Sequence, residues 1–287
     1  MRFSDAPFDP YQLSLPTATA IPLVCDSPHS GVIYPADFQS CLPVSLLRAG
    51  EDTWVHELWQ AIPSVGGSLL AANFPRSYID PNRTLDDLDP DMLAEPWPHG
   101  ELHPTEKSRL GIGLLWSMAG GRPVYDRKLW VGEVEDRIGT YYEPYHAALA
   151  ELAEQAYKAF GCVWHLNLHS MPSDSYNILQ IASNKPLADF VLGDRDGTTC
   201  DPTLVGVIED FLRERGYSAA RNDPFKGVAL IQRMGQPDKN RYSLQIEINR
   251  KLYMDETTYE KTPGFDSLQA TLSELSVEVA KFIRLQM

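Results

Sequence analysis

The sequence predicts an α/β protein with a mixed central sheet and helices on both faces. Short apolar runs that read as strands alternate along the chain with helical stretches of twelve residues or more. The chain has 287 residues, 43% of them hydrophobic, enough to bury a large core without disulfide or metal staples. It holds no repeat, low-complexity tract or long linker, so residues 1–287 are expected to form one domain.

Ala20–Cys25 is a short apolar run that stops at Asp26-Ser27-Pro28, as a buried strand does on entering a loop. Val44–Ile62 is helical in pattern, with Val55, Leu58, Trp59 and Ile62 on its apolar side and Pro63 and Gly66-Gly67 ending it. Ser68–Ala72 and Arg76–Asp80 read as strand segments, broken by Pro75 and closed by Pro81. Leu88–Gly121 is rich in Pro, Gly and Asp with little periodicity, and reads as a long surface excursion. A helix follows over Val131–Phe160, kinked at Pro144 and capped by Gly161. Cys162–His169 and Asn177–Ala182 read as strands, and Asp201-Pro202 opens a helix through Arg215. Ser243–Ile248 alternates as a strand, and Leu268–Leu285 is a final amphipathic helix.

Charge narrows the function. The 25 Lys and Arg stand against 39 Asp and Glu, a net −14 that repels phosphate backbones and anionic lipid. Nucleic acid and membrane are therefore not expected partners. No apolar run nears the ~18 residues of a membrane span. Residues 1–16 lack the basic-then-apolar order of a signal peptide. The four cysteines lie far apart with no CxxC pair, as thiols in a reducing compartment do, so a cytoplasmic location is expected. Nothing in the sequence speaks to oligomeric state.

His29, in Asp-Ser-Pro-His-Ser-Gly, and His169, in Asn-Leu-His-Ser-Met-Pro, fall at strand ends, where open α/β sheets build their sites. The competing reading for each is a loop histidine bonded to the backbone. Asp52, with Glu51 as its neighbouring alternative, opens the Trp54–Ile62 helix, where a carboxylate also favours the helix dipole. Two neutral imidazoles and a carboxylate are the ligand set of a catalytic zinc site. No HExxH or other single metal motif is present. Glu247 lies mid-strand on the face of Gln245 and Asn249, and would serve as general base beside a metal or pair with a cation such as Arg250. Arg76 and Arg83 flank the rigid Asp80-Pro81-Asn82 turn, and Arg83 either binds a carboxylate or is taken by Asp80, Asp86 or Asp87. His165 shares a strand face with Asn167 and His169 and reads as a supporting or core residue. Walker, GxGxxG and GxSxG motifs are absent.

An ordered series of motifs resembles the N-formylglutamate amidohydrolase family from about Leu23 to Glu256. It runs through Ser27-Pro28-His29-Ser30-Gly31, Asp52 with Leu58-Trp59, and Arg76-Ser77-Tyr78-Ile79-Asp80-Pro81-Asn82-Arg83. It continues through Tyr142-Glu143-Pro144-Tyr145-His146, His169-Ser170, Leu192-Gly193-Asp194 and Asn222-Asp223-Pro224-Phe225-Lys226-Gly227, and ends at Gln245–Met254. The resemblance implies a phosphorylase/hydrolase-like fold related to zinc carboxypeptidases. It implies a divalent metal, zinc foremost, held by His29, Asp52 and His169. Glu247 would be the general base toward metal-activated water, Arg76 would stabilise the oxyanion or hold carboxylate, and Asn82-Arg83 would bind substrate carboxylate. The small-molecule substrate would be an acidic N-acyl amino acid such as N-formylglutamate. A deacylase or small peptidase with another substrate, and a non-catalytic binding protein of the same fold, are the rival readings. Asn167 departs from the acid often found two residues before the second metal histidine, and Leu88–Gly121 departs from the pattern of formylglutamate deformylases.

Overall fold

The computed structural model describes residues 2–287. Its strands are β1 (Arg2–Ser4), β2 (Tyr11–Ser14), β3 (Leu23–Ser27), β4 (Ile33–Pro35), β5 (Ser68–Ala72), β6 (Met118–Ala119), β7 (Arg122–Pro123), β8 (Val163–Met171), β9 (Phe190–Gly193), β10 (Ala219–Arg221) and β11 (Arg241–Asn249). Its α-helices are α1 (Val44–Leu47), α2 (Val55–Leu58), α3 (Glu106–Arg109), α4 (Val131–Arg137), α5 (Glu143–Phe160), α6 (Ser175–Ile178), α7 (Pro202–Glu214), α8 (Ala229–Met234) and α9 (Gly264–Gln286). Seven strands form one sheet in the order β10-β9-β11-β8-β3-β5-β2. β10 runs parallel to β9, β11 to β8 and β8 to β3, whereas β9 and β11 are antiparallel, so the sheet is mixed as expected.

The chain divides into two compact units. The first comprises Met1–Gln12, Pro28–Thr53 and Ala71–Ala150; the second comprises Leu13–Ser27, Trp54–Leu70 and Glu151–Met287. In the second, the alternation of β8 and β11 sorts their side chains. Trp164, Leu166, Leu168, Leu244, Ile246 and Ile248 join an apolar core closed by α7 and α9. Asp201 caps α7 by accepting from the Thr203 amide at 2.7 Å, as its Asp-Pro start predicts. The opposite residues of these strands are polar yet also buried, among them His165, Asn167, His169, Ser243, Gln245 and Glu247. A polar sheet face withdrawn from water is costly unless every group is bonded, and it marks this face as the chemical one.

The first unit holds an aromatic core. The guanidinium of Arg137 lies 4.1 Å from the Tyr78 ring centre and donates to the Tyr125 hydroxyl at 2.7 Å. The loop through His29 presses on the next segment: a Cβ on Gly31 would stand 2.0 Å from the Phe74 main-chain oxygen, so only glycine fits.

Several expected elements differ. The Val44–Ile62 helix is broken: after α1 and a 3₁₀ turn over Arg48–Gly50, Trp54 takes φ 70° before α2 begins. The break lets the Asp52 amide donate to the His29 carbonyl at 2.9 Å, a tertiary contact that overrides the helical pattern. Arg76–Asp80 is a turn, since the flanking prolines lack ladder donors and the Tyr78 amide bonds back to Pro75. Asn177–Ala182 is no strand; Ser175–Ile178 is helical, and Asp174 takes the amides of Asn177 and Ile178. The expected Val131–Phe160 helix is α4 and α5 joined by a π-helical turn over Ile138–Tyr142, just before Pro144, which has no amide to give. Leu88–Gly121 is irregular as expected, but its apolar residues Leu88, Leu93, Leu114, Leu115 and Trp116 are buried.

Candidate metal centre

His29 stands two residues beyond β3 in a loop that the Asn73–Phe74 backbone supports. Its Nε2 lies 2.8 Å from Asp80 Oδ1. A carboxylate there only accepts, so Nε2 carries the proton and the lone pair sits on Nδ1. That Nδ1 faces Asp52 Oδ2 at 3.4 Å. Asp80 is a hub: its Oδ1 also accepts from the Asn82 amide at 2.8 Å, and its Oδ2 accepts from Arg76 Nε at 3.1 Å and Nη2 at 2.7 Å. Burial alone would raise its pKa, but Arg76, then His29 and Arg83, outweigh burial and hold the carboxyl well below the usual range.

Glu51 is occupied elsewhere. It accepts from Tyr34 at 2.5 Å, from Arg48 at 3.1 Å and from Thr53 at 3.0 Å, which leaves Asp52 as the acid turned toward His29.

His169 is the seventh residue of β8, inside the strand rather than past it, and pairs in register with Glu247 on β11. Its orientation is set by a chain of buried bonds. His165 bonds Ser243 Oγ at 2.7 Å and Asp26 Oδ1 at 2.9 Å. Asn167 donates its Nδ2 to the same Asp26 oxygen at 2.8 Å. The amide is thereby oriented, and its Oδ1 accepts from His169 Nε2 at 2.6 Å. His169 therefore also carries its proton on Nε2 and turns the lone pair to Nδ1. Asn167 suits this place because a second carboxylate against Asp26 would force the two acids to share a proton. Glu247 accepts from Gln245 Nε2 at 2.8 Å and is 7% exposed.

One ligand atom from each of His29, Asp52 and His169 lies within 4.8 Å of the others, and all three residues are buried. Two imidazoles and a carboxylate are a donor set that fits a divalent metal of the zinc type. Arg76 holds Asp80 and lies 5.5 Å from the Trp116 ring centre. Arg83 is 8% exposed; its Nη1 donates to the Asn82 carbonyl at 3.2 Å and its Nε to the Ile112 carbonyl at 3.3 Å. Its nearest acid is Asp87 at 3.9 Å, not Asp80 or Asp86.

Sequence reasoning quoted Asp80 only as a motif residue and a rival for Arg83, and assigned Asp26 no role. The signal for Asp80 was an acid between two prolines with arginines on either side. A separate cavity of about 380 Å³ is lined by Asp86, Glu101, Glu135 and Glu143 with Trp97 and His99, and its carboxylates repel an anionic ligand.

Residues 21–254 match the N-formylglutamate amidohydrolase family. The chain is 29% identical over 241 residues to the N-formylglutamate deformylase of Pseudomonas aeruginosa, covering 82% of this chain and 83% of that one. It is 28% identical over 241 residues to the N-formylglutamate deformylase of Pseudomonas putida, covering 83% of each. The crystal structure of N-formylglutamate amidohydrolase from Ralstonia eutropha is 58% identical and superposes with a TM-score of 0.96, over 98% of this chain and 100% of that one. The chain is an amidohydrolase and belongs to the N-formylglutamate amidohydrolase family.

Proposed function

We propose that the enzyme, acting as one catalytic domain, hydrolyses N-formylglutamate to glutamate and formate. The observation that carries this reading is the buried His29–Asp52–His169 group, with ligand atoms within 4.8 Å of one another. His29 and His169, through Nδ1, and Asp52 would hold a divalent metal ion, zinc by the chemistry of the donors. Such an ion, when bound, supplies the Lewis acidity that makes water nucleophilic at neutral pH and polarises the formyl oxygen.

The residues of the chain do the rest. Glu247, beside His169 across the β8–β11 ladder, takes a proton from the attacking water and delivers it to the departing amine. Gln245 donates to one oxygen of that carboxylate and so helps to set its orientation. Asn82 and Arg83 hold the substrate α-carboxylate, and the Arg83 fork is favoured because its two main-chain bonds leave Nη2 without a partner among the described residues. Arg76, kept in place by Asp80, stabilises the charge that develops on the formyl oxygen.

The test is formate release from N-formylglutamate and a panel of other N-acyl amino acids, by enzyme treated with chelator and then reloaded with zinc. Turnover that peaks on N-formylglutamate and depends on the metal is expected. A preference for another acyl group or a neutral amino acid would overturn the substrate, and full turnover after chelation would overturn the metal.

A further inference from the structure

We infer that Lys107 selects the acidic side chain of the substrate: its ammonium receives the side-chain carboxylate while Arg83 and Asn82 hold the α-carboxylate. This rests on the proposed reading that the substrate is an N-acyl amino acid.

Lys107 lies in α3, within the irregular Leu88–Gly121 segment, yet its position is tightly fixed. Asp87 accepts from the Thr105 amide at 2.7 Å and the Thr105 hydroxyl at 3.0 Å. The Asp87 carbonyl accepts from Ser108 Oγ and from the Leu114 amide, both at 2.8 Å. A Cβ on Gly113 would stand 2.0 Å from Ser108 Oγ, so the segment closes on itself without a gap. The Ile112 amide donates to the Lys107 carbonyl at 2.9 Å, and the Ile112 carbonyl accepts from Arg83. One residue thus ties Lys107 to Arg83.

The charges around it point to an anion. The half-buried Lys107 ammonium makes no hydrogen bond or ion pair among the described residues. Burial, then the neighbouring Arg83, lowers its pKa; the adjacent Glu106 offsets part of this, and Arg76 adds to it. Arg83 and Arg76 both act on Lys107, and the internal carboxylates that act on Arg83 are already engaged, Asp80 by Arg76 and Asp87 by Thr105. A protein of net charge −14 has no solubility reason to converge three cations on a partly dry spot. An ammunition of this kind fits a ligand with two carboxylates, one for the guanidinium fork and one for the more compact ammonium.

The test compares the wild type with Lys107→Met, Lys107→Arg and, as a surface control, Lys158→Met. Each full-length protein is supplemented with zinc, and binding of glutarate and of glutarate monoamide is measured by calorimetry. The wild type and Lys158→Met should prefer the dicarboxylate by roughly tenfold or more. Lys107→Met should bring that preference below about threefold, and Lys107→Arg should keep most of it. An undiminished preference in Lys107→Met, an equal loss for both ligands, or no preference in the wild type would overturn the assignment. Formate release by the wild type is read separately. A Lys107-dependent preference in an enzyme that releases no formate would refute the proposed reaction and uphold the selectivity.

Discussion

Replacing Asp80 by asparagine changes one oxygen to an NH₂ group and tests how much the candidate site depends on a residue outside the proposed ligand set. Asp80 is fully buried and takes four donors: His29 Nε2 and the Asn82 amide on Oδ1, and Arg76 Nε and Nη2 on Oδ2. The asparagine carbonyl can keep the first pair. Its NH₂ then faces the two Arg76 donors, and both charge-assisted bonds are lost. Such bonds contribute about 1.5–3 kcal/mol each. Arg76 is 17% exposed and can turn partly to water, which lowers the cost of leaving it unpaired. A net loss of about 2–4 kcal/mol follows. His29 would meanwhile exchange an anionic acceptor for a neutral one, and loss of such a partner weakens metal binding roughly 10–100-fold. The assay pairs urea denaturation of metal-stripped protein with zinc affinity by chelator competition. The sign of the pH dependence is also fixed. Burial opposes ionisation of Asp80, but Arg76, His29 and Arg83 lower its folded pKa below the unfolded value of about 3.9. Its contribution is therefore complete above that value and lost as pH falls toward the folded pKa, so wild type and Asp80→Asn should converge in acid. A stability change under about 0.5 kcal/mol with unchanged zinc affinity would refute the hub.

Glu247→Gln should retain zinc but lose at least about 100-fold in kcat, measured by formate release; full turnover would remove Glu247 as the base. Metal analysis should find one zinc per chain, lost in both His29→Ala and His169→Ala, and retention in either variant would exclude that ligand. Gly31→Ala should cost about 1–3 kcal/mol in the urea midpoint, because its Cβ meets the Phe74 main-chain oxygen at 2.0 Å. A neutral result there would show that the loop yields.

The alternation in Cys162–His169 was enough to group His169 with His165 and Asn167, and that in Ser243–Ile248 to group Glu247 with Gln245 and Asn249, because period 2 within a strand needs no tertiary information. Their shared register was not legible, since pairing depends on which strands become neighbours. His29 and Asp52 could be named by type and context, but the broken backbone that joins them could not. A continuous helix is the local preference there, and the Asp52 amide bond to His29 wins only once both segments are folded. Lys107 was invisible for the same reason. Nothing in Thr105-Glu106-Lys107 suggests an anion site until the Asp87 bonds bring that turn to Arg83.

The two networks behind the histidines share no residue, yet they impose the same tautomer. In one, Asp80 accepts from His29 Nε2; in the other, Asp26 orients Asn167, which accepts from His169 Nε2. Both leave the lone pair on Nδ1. Stability alone does not call for this, because apolar residues of similar volume are often as stable as a buried polar network or more so. Asp26, His165, Asn167, His169 and Ser243 nevertheless occupy sheet positions with almost no solvent contact. Orientation of a ligand atom is what such networks supply and apolar packing cannot. If that is their purpose, Asn167→Leu, which strands the His169 Nε2 donor and takes one donor from Asp26, should cost only about 1–3 kcal/mol in urea denaturation of metal-stripped protein while zinc affinity falls roughly tenfold or more. A large loss of stability with intact zinc affinity would mean instead that the network holds the sheet together.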